Sequence, residues 1–201
     1  MPGGIAVLIS GAGSNMLALA DACERDEVPG KLAVVAADRK CEGIARAQER
    51  GIETVLVEFG AYKERAEWDR EMLDAVSAYR PDLVVSAGFM RLLAPSFVDA
   101  FSGRLINLHP SLLPAFPGAH AVRDALAHGA RVTGTTVHFV DYEVDHGPII
   151  LQEAVPVEAG DTEETLHGRI KAIEHRLLPR ACKLFLEGRL SLDGERVVVR
   201  E

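Results

Sequence analysis

IAVLISGAGSNMLALADA, residues 5–22, runs from apolar β-formers through a glycine loop into a helical pattern. Its opening, IAVLIS, shows no alternation of polar and apolar residues, as expected of a strand covered on both faces. Four runs of the same kind follow: KLAVVAAD (31–38), ETVLVEF (53–59), DLVVSAG (82–88) and RLINLH (104–109). Helical patterns lie between them. The clearest spans 62–79, where Trp68, Met72, Val76 and Tyr79 recur on one face while Lys63, Glu67, Asp69 and Arg70 fall elsewhere. Strand followed by helix, repeated, predicts an α/β fold: a mostly parallel, Rossmann-like sheet with right-handed crossovers and helices on both faces.

The pattern changes after His128. VTGTTVHFV (132–140) and PIILQEAVPV (148–157) are joined by DYEVDHG, short enough for the two strands to pair antiparallel at the C-terminal edge of the sheet. A long helix should follow, opened by a capping box of Asp161 and Glu164, with Leu166, Ile170, Ile173, Leu177 and Leu178 as its apolar face. Pro179 should kink or split it. SLDGERVVV then reads as a hairpin turning at Asp193 and Gly194.

Length and composition predict one domain over residues 1–201, since 201 residues at 48% apolar content can bury a single sizeable core. A net charge of -8, without any cluster of Lys and Arg, argues against a nucleic-acid partner. Cys23, Cys41 and Cys182 are odd in number and far apart, which suits buried reduced thiols in a cytoplasmic protein better than disulfides or a metal site. No run approaches the roughly 20 apolar residues of a membrane span, and the N-terminus lacks the basic flank of a signal peptide.

Two places carry chemistry. The first is the loop Gly11-Ala12-Gly13-Ser14-Asn15, whose backbone N–H groups at a helix start would suit a phosphate. It is not a Walker loop, because no Gly-Lys-Ser/Thr ending follows, and the dinucleotide fingerprint wants a glycine where Met16 stands. Asp38, at the end of the second strand, sits where a ribose-binding acid would, which leaves a nicotinamide-binding oxidoreductase as the alternative from another class.

The second is RLINLHPSLLPAFPGAH (104–120). Residues two apart in a strand face the same side, so Asn107 and His109 project together from a C-terminal strand edge, where open α/β sheets bind ligands. Pro110, Pro114 and Pro117 then build a stiff wall. An amide and an imidazole aimed at one point suit a developing oxyanion. Ser111 lacks the context of an attacking hydroxyl, so the nucleophile belongs to the substrate. A carboxylate is needed to orient the imidazole; Asp145 is the natural supplier, with Asp141 and Glu143 as rivals by spacing.

LISGAGSN, AGFMRLL, LINLHPSLLPAFPGAHA, GTTVHFV and VDHGPIILQ, in this order over nearly the whole chain, resemble the folate-dependent phosphoribosylglycinamide formyltransferases of purine synthesis. N-x-HPSLLP followed by D-x-GP is specific to the wider group of formyl-folate transferases and hydrolases. The resemblance implies 10-formyltetrahydrofolate as co-substrate, glycinamide ribonucleotide as acceptor and no metal. It carries catalytic roles onto Asn107, His109 and Asp145. It assigns ribonucleotide contacts to Gly13, Ser14, Asn15 and Glu174, and folate contacts to Arg65, Met90, Arg91, Leu92 and Leu93, to Asn107, and to Asp141, Tyr142, Glu143, Val144 and Asp145. Without it, Glu174 reads as a solvated helix face and Met90 to Leu93 as core. His146, where relatives often have glycine, and Lys171, where they can have an uncharged amide, depart from the pattern at its periphery. The transferase acting on initiator tRNA would need a further C-terminal barrel, and the hydrolase a further N-terminal domain. An edge-strand homodimer is compatible with the sequence, which does not decide it.

Overall fold

The apolar runs assemble into one sheet in the computed structural model, which describes residues 3–194 and 196–200. β1 (Gly3–Ile9), β2 (Gly30–Ala37), β3 (Thr54–Leu56), β4 (Leu83–Ser86) and β5 (Leu105–His109) pair in parallel. β6 (Val132–Phe139) and β7 (Ile149–Pro156) add antiparallel at the edge beyond β5, as expected. Across the sheet the order is β3-β2-β1-β4-β5-β6-β7, so winding reverses between β1 and β4. Such a reversal leaves a crevice at the strand ends.

Both faces of β1 are covered, which is why its sequence does not alternate. Ile5, Val7 and Ile9 pack with Met16 and Leu19 of α1 (Ser14–Glu24), Ala47 of α2 (Glu42–Glu49) and Leu177, Leu178 and Ala181 of α6 (Glu163–Leu186). Ala6 and Leu8 meet Trp68, Met72 and Val76 of α3 (Arg65–Ser77) and Phe97 and Val98 of α4 (Pro95–Ala100). Burying a large apolar side chain contributes roughly 1.5–3 kcal/mol, so the four-residue spacing of Trp68, Met72 and Val76 is what seats α3. α5 (Ala121–Ala127) closes a smaller cluster in which its Val122 meets Val155, Leu166 and Ile170.

Several expectations are corrected in detail. The run 53–59 yields only the three-residue β3, followed by a 3-10 turn at Phe59–Ala61. β3 is an edge strand, and the Val57 carbonyl beyond it accepts the Trp68 indole N–H at 2.8 Å instead of extending a ladder. The capping box of α6 is Thr162 with Thr165, not Asp161 with Glu164. Asp161 is captured by Arg169 at 2.5 Å, and the next residue caps. α6 runs unbroken through Pro179, whose ring lies on the buried side. Cys182 is buried, whereas Cys23 and Cys41 are only half-buried at the margin of the core. Burial pushes the Cys182 thiol up, and burial with Glu24 nearby pushes Cys23 up to about 11. The C-terminal hairpin pairs β8 (Leu190–Asp193) with β9 (Arg196–Val199). Among the described residues, no helix is long and apolar enough to cross a membrane.

Candidate active site

Leu105 belongs to the α3/α4 side of the core, so the period of two places Asn107 and His109 on that side at the end of β5. The antiparallel register sets His138 directly opposite Asn107 and Thr136 opposite His109. Asp145, on the loop between β6 and β7, completes the group. Its Oδ1 accepts the Asn107 Nδ2–H at 3.2 Å, and its Oδ2 lies 3.3 Å from His109 Nδ1 and accepts the Gly118 N–H at 2.7 Å. The structure therefore brings Asn107, His109 and Asp145 together. It sets the two rival acids apart: Asp141 pairs with His146 at 3.0 Å and accepts the Glu143 N–H at 2.9 Å. The Ser111 hydroxyl is fully buried and donates to the Ala115 carbonyl at 2.5 Å, so it is no nucleophile.

His138 is the member that sequence reading did not assign. Its Nδ1 faces the Phe139 carbonyl at 2.8 Å, and a carbonyl only accepts, so Nδ1 carries the proton. Nε2 of the neutral ring then accepts from Asn107 Nδ2 at 3.2 Å. Burial holds the His138 pKa below its ordinary 6.5, only partly offset by the Phe139 hydrogen bond and the Asp145 charge. His109 differs: Nε2 faces the Phe116 carbonyl at 2.9 Å while Nδ1 lies 3.3 Å from the Asp145 carboxylate, so both ring nitrogens face acceptors. Two strained residues aim these partners, because Phe116 at φ 54 and Asp145 at φ 53 are left-handed without being glycine. Gly147 lets the loop pass the strand, since a Cβ there would stand 2.0 Å from the Phe139 carbonyl oxygen.

A second polar cluster lies on the other side of the sheet. Gly13, left-handed at φ 72, ends the loop and starts α1 without a side-chain cap, as a backbone cradle requires. Ser14 follows half-buried, but Asn15 turns inward: its Nδ2 donates to Glu174 Oε2 at 2.8 Å, and its own Oδ1 is buried without a hydrogen-bond partner. Glu174, far from being a solvated face, is 3% exposed and faces a second donor, the Thr135 hydroxyl, at 3.4 Å. Thr135 also reaches the His109 carbonyl at 3.1 Å, so this cluster abuts the first across the strand ends. A buried carboxylate held by the Asn15 amide and by a Thr135 hydroxyl that it shares with the His109 carbonyl, beside an orphaned acceptor, is a place for a ligand rich in hydroxyl or N–H groups.

The residues assigned to folate line the α3/α4 side. Met90 is 59% and Leu92 64% exposed, which contradicts a core reading of 90–93, while Leu93 packs partly into the core. Tyr142 and Val144 are exposed on the neighbouring loop, and Arg65 donates to the Leu92 carbonyl. Apolar side chains left open beside cations suit an aromatic anion. Asp38 does not await a ribose: its side chain is fully buried and paired with Arg39 at 2.8 Å and Arg91 at 2.9 Å. Burial alone would raise its pKa, but hydrogen bonds from Arg39, Ser10 and Arg91 outweigh that and hold it low. Among the described residues, no group of three or more His, Cys, Asp or Glu is arranged to hold a metal ion.

The winding reversal carries a carboxylate, an imidazole and an amide, and it is the match to known proteins that gives the class. The family model described as formyl transferase covers residues 4–182, and the chain belongs to that family. The phosphoribosylglycinamide formyltransferase of Escherichia coli (strain K12) is 44% identical over 201 residues, covering 96% of this chain and 95% of that protein. The enzyme of the same name from Mycobacterium tuberculosis (strain ATCC 25618 / H37Rv) is 46% identical over 204 residues, covering 98% and 94%. The crystal structure of glycinamide ribonucleotide transformylase 1 from Symbiobacterium toebii superposes with a TM-score of 0.96 at 48% identity, over 99% of this chain and 94% of that one.

Proposed function

We propose that the protein transfers a formyl group from 10-formyltetrahydrofolate to the amine of glycinamide ribonucleotide, in the cytoplasm, as a step of purine synthesis. The observation that carries this reading is the meeting of two clusters at the strand ends. One is the buried Glu174 carboxylate beside the orphaned Asn15 Oδ1 on the α1/α6 side; the other is the Asn107, His109 and Asp145 group on the α3/α4 side. Folate lies along Met90 to Leu93 and the loop 141–145, where exposed apolar side chains take its rings. The ribonucleotide lies across the helix start of α1, its phosphate on the backbone at Gly13 and Ser14 and its hydroxyls toward Glu174 and the orphaned Asn15 Oδ1. The attraction of these anions is local, because the net charge of -8 opposes it at long range.

The amine attacks the formyl carbon and forms a tetrahedral intermediate whose oxygen is negative. Asn107 and His109 stabilise that oxygen by exchanging internal acceptors, His138 and the Phe116 carbonyl, for the stronger one. Asp145 keeps the imidazole oriented and serves the proton leaving the attacking nitrogen for N10 of the departing tetrahydrofolate. Holding both substrates in register supplies a further large part of the acceleration.

The test mixes the purified protein with both substrates and follows release of tetrahydrofolate, with a control lacking the amine. Release only with the amine is expected; equal release without it would mean a hydrolase. Asn107→Ala and His109→Ala should each lower kcat on the order of 100-fold or more with substrate binding retained. Unchanged turnover in either variant would remove the mechanism.

A further inference from the structure

Arg65 and Arg91 come from different elements and share two anchors, an aspartate and the ring of Phe59, with Arg65 also lying 5.2 Å from the Trp68 ring. Each guanidinium gives its Nε–H to an aspartate, Arg65 to Asp69 at 2.7 Å and Arg91 to Asp38 at 2.9 Å. Each also lies against the ring of Phe59, at 5.6 Å and 4.0 Å from its centroid, which keeps the two cations within about 10 Å of each other. Phe59 is itself held edge-on to the buried Trp68 at 5.2 Å. A protein of net charge -8 has no general need to gather two cations on one ring. With Nε committed, Arg91 offers its end-on pair of nitrogens, the edge that meets a carboxylate in a parallel fork, while Arg65, whose Nη2 also donates to the Leu92 carbonyl, offers Nη1. Freezing long, flexible side chains is a large part of what arginines lose on binding an anion, and here that loss is taken in folding.

We propose that Phe59 is a positioning residue: an aromatic pedestal that, with Asp38 and Asp69, pre-orients Arg65 and Arg91 for the two carboxylates of the glutamate tail of formyl-folate. This rests on the reading that folate lies on the α3/α4 side, and it makes Phe59 a determinant of tail recognition rather than of chemistry.

The experiment compares 10-formyltetrahydrofolate with 10-formyltetrahydropteroate, which lacks the glutamate, in the unaltered enzyme and in Phe59→Leu, Phe59→Tyr and Asp38→Asn. Phe59→Leu should raise KM for the glutamate-bearing substrate about three- to tenfold, leave kcat unchanged and leave KM for the pteroate unchanged. Phe59→Tyr, which keeps the ring, should restore the original KM to within about twofold. Asp38→Asn, of nearly equal volume, should give the same tail-specific rise, and it keeps the test decisive if Phe59→Leu does not fold. A rise of equal size for both substrates, or no rise at all, would overturn the pedestal. Equal KM values for the two substrates in the unaltered enzyme would instead overturn tail recognition by the arginines, leaving formyl transfer itself standing.

Discussion

His138 binds no proton at Nε2 in the arrangement described, because that nitrogen accepts from Asn107, and its pKa is held below 6.5 chiefly by burial. The unfolded chain therefore takes up this proton first as pH falls. A depressed folded-state pKa gives stability that is complete above about 6.5 and lost progressively as pH drops below it. His138→Gln has no such titration, so its thermal midpoint should fall less between pH 7 and pH 5.5 than that of the unaltered protein. Equal falls in the two proteins, measured by circular dichroism, would contradict the assignment. Asn107 and His109 were legible in sequence because a strand's period of two is local. His138 was not, although it lies in a quoted motif, because its role comes from the rung opposite Asn107, and register between strands 31 residues apart leaves no local mark. Glu174 escaped in the same way: its burial depends on Asn15 and Thr135 arriving from other elements.

Among the elements, the start of α6 shows how neighbouring polar residues compete. Asp161 and Thr162 are both good caps by type, and the helix takes the second because Arg169 holds the first at 2.5 Å. Thr162→Ala should cost about 1 kcal/mol, read as a shift of the urea midpoint without a change in slope. Loss of less than about 0.3 kcal/mol would show that Asp161 substitutes as cap, releasing Arg169. The strands were legible from their unbroken apolar runs, with β3 the exception. There the same apolar content serves an edge, and the Val57 carbonyl goes to Trp68 rather than to a neighbouring strand. The continuity of α6 through Pro179 was equally hidden, because burial of the ring against the core offsets the lost hydrogen bond.

For the whole molecule, the sheet keeps its two polar clusters on opposite faces that meet only at the strand ends. Trp68, the sole tryptophan, belongs to one face: its ring lies 5.2 Å from the Arg65 guanidinium and 5.2 Å from Phe59. Its emission should change when a formyl-folate analogue is titrated, after correction for absorption by the ligand. Glycinamide ribonucleotide alone should leave it unaltered. A response to the ribonucleotide as large as that to the folate would mean that the two clusters do not serve separate ligands. The α/β class and the antiparallel edge were legible because periodicity and connection length constrain them. The placing of the two polar clusters on opposite faces was not, since it depends on which helices cover which side.

The left-handed backbone at Phe116 has a bearing on attempts to harden the protein against heat. A screen that rewards survival alone would favour exchanges relaxing this bend, and each would let the carbonyl swing off the imidazole it now steadies. Ruggedness and turnover should thus trade against each other at this one residue, and libraries built for durability do well to hold it constant.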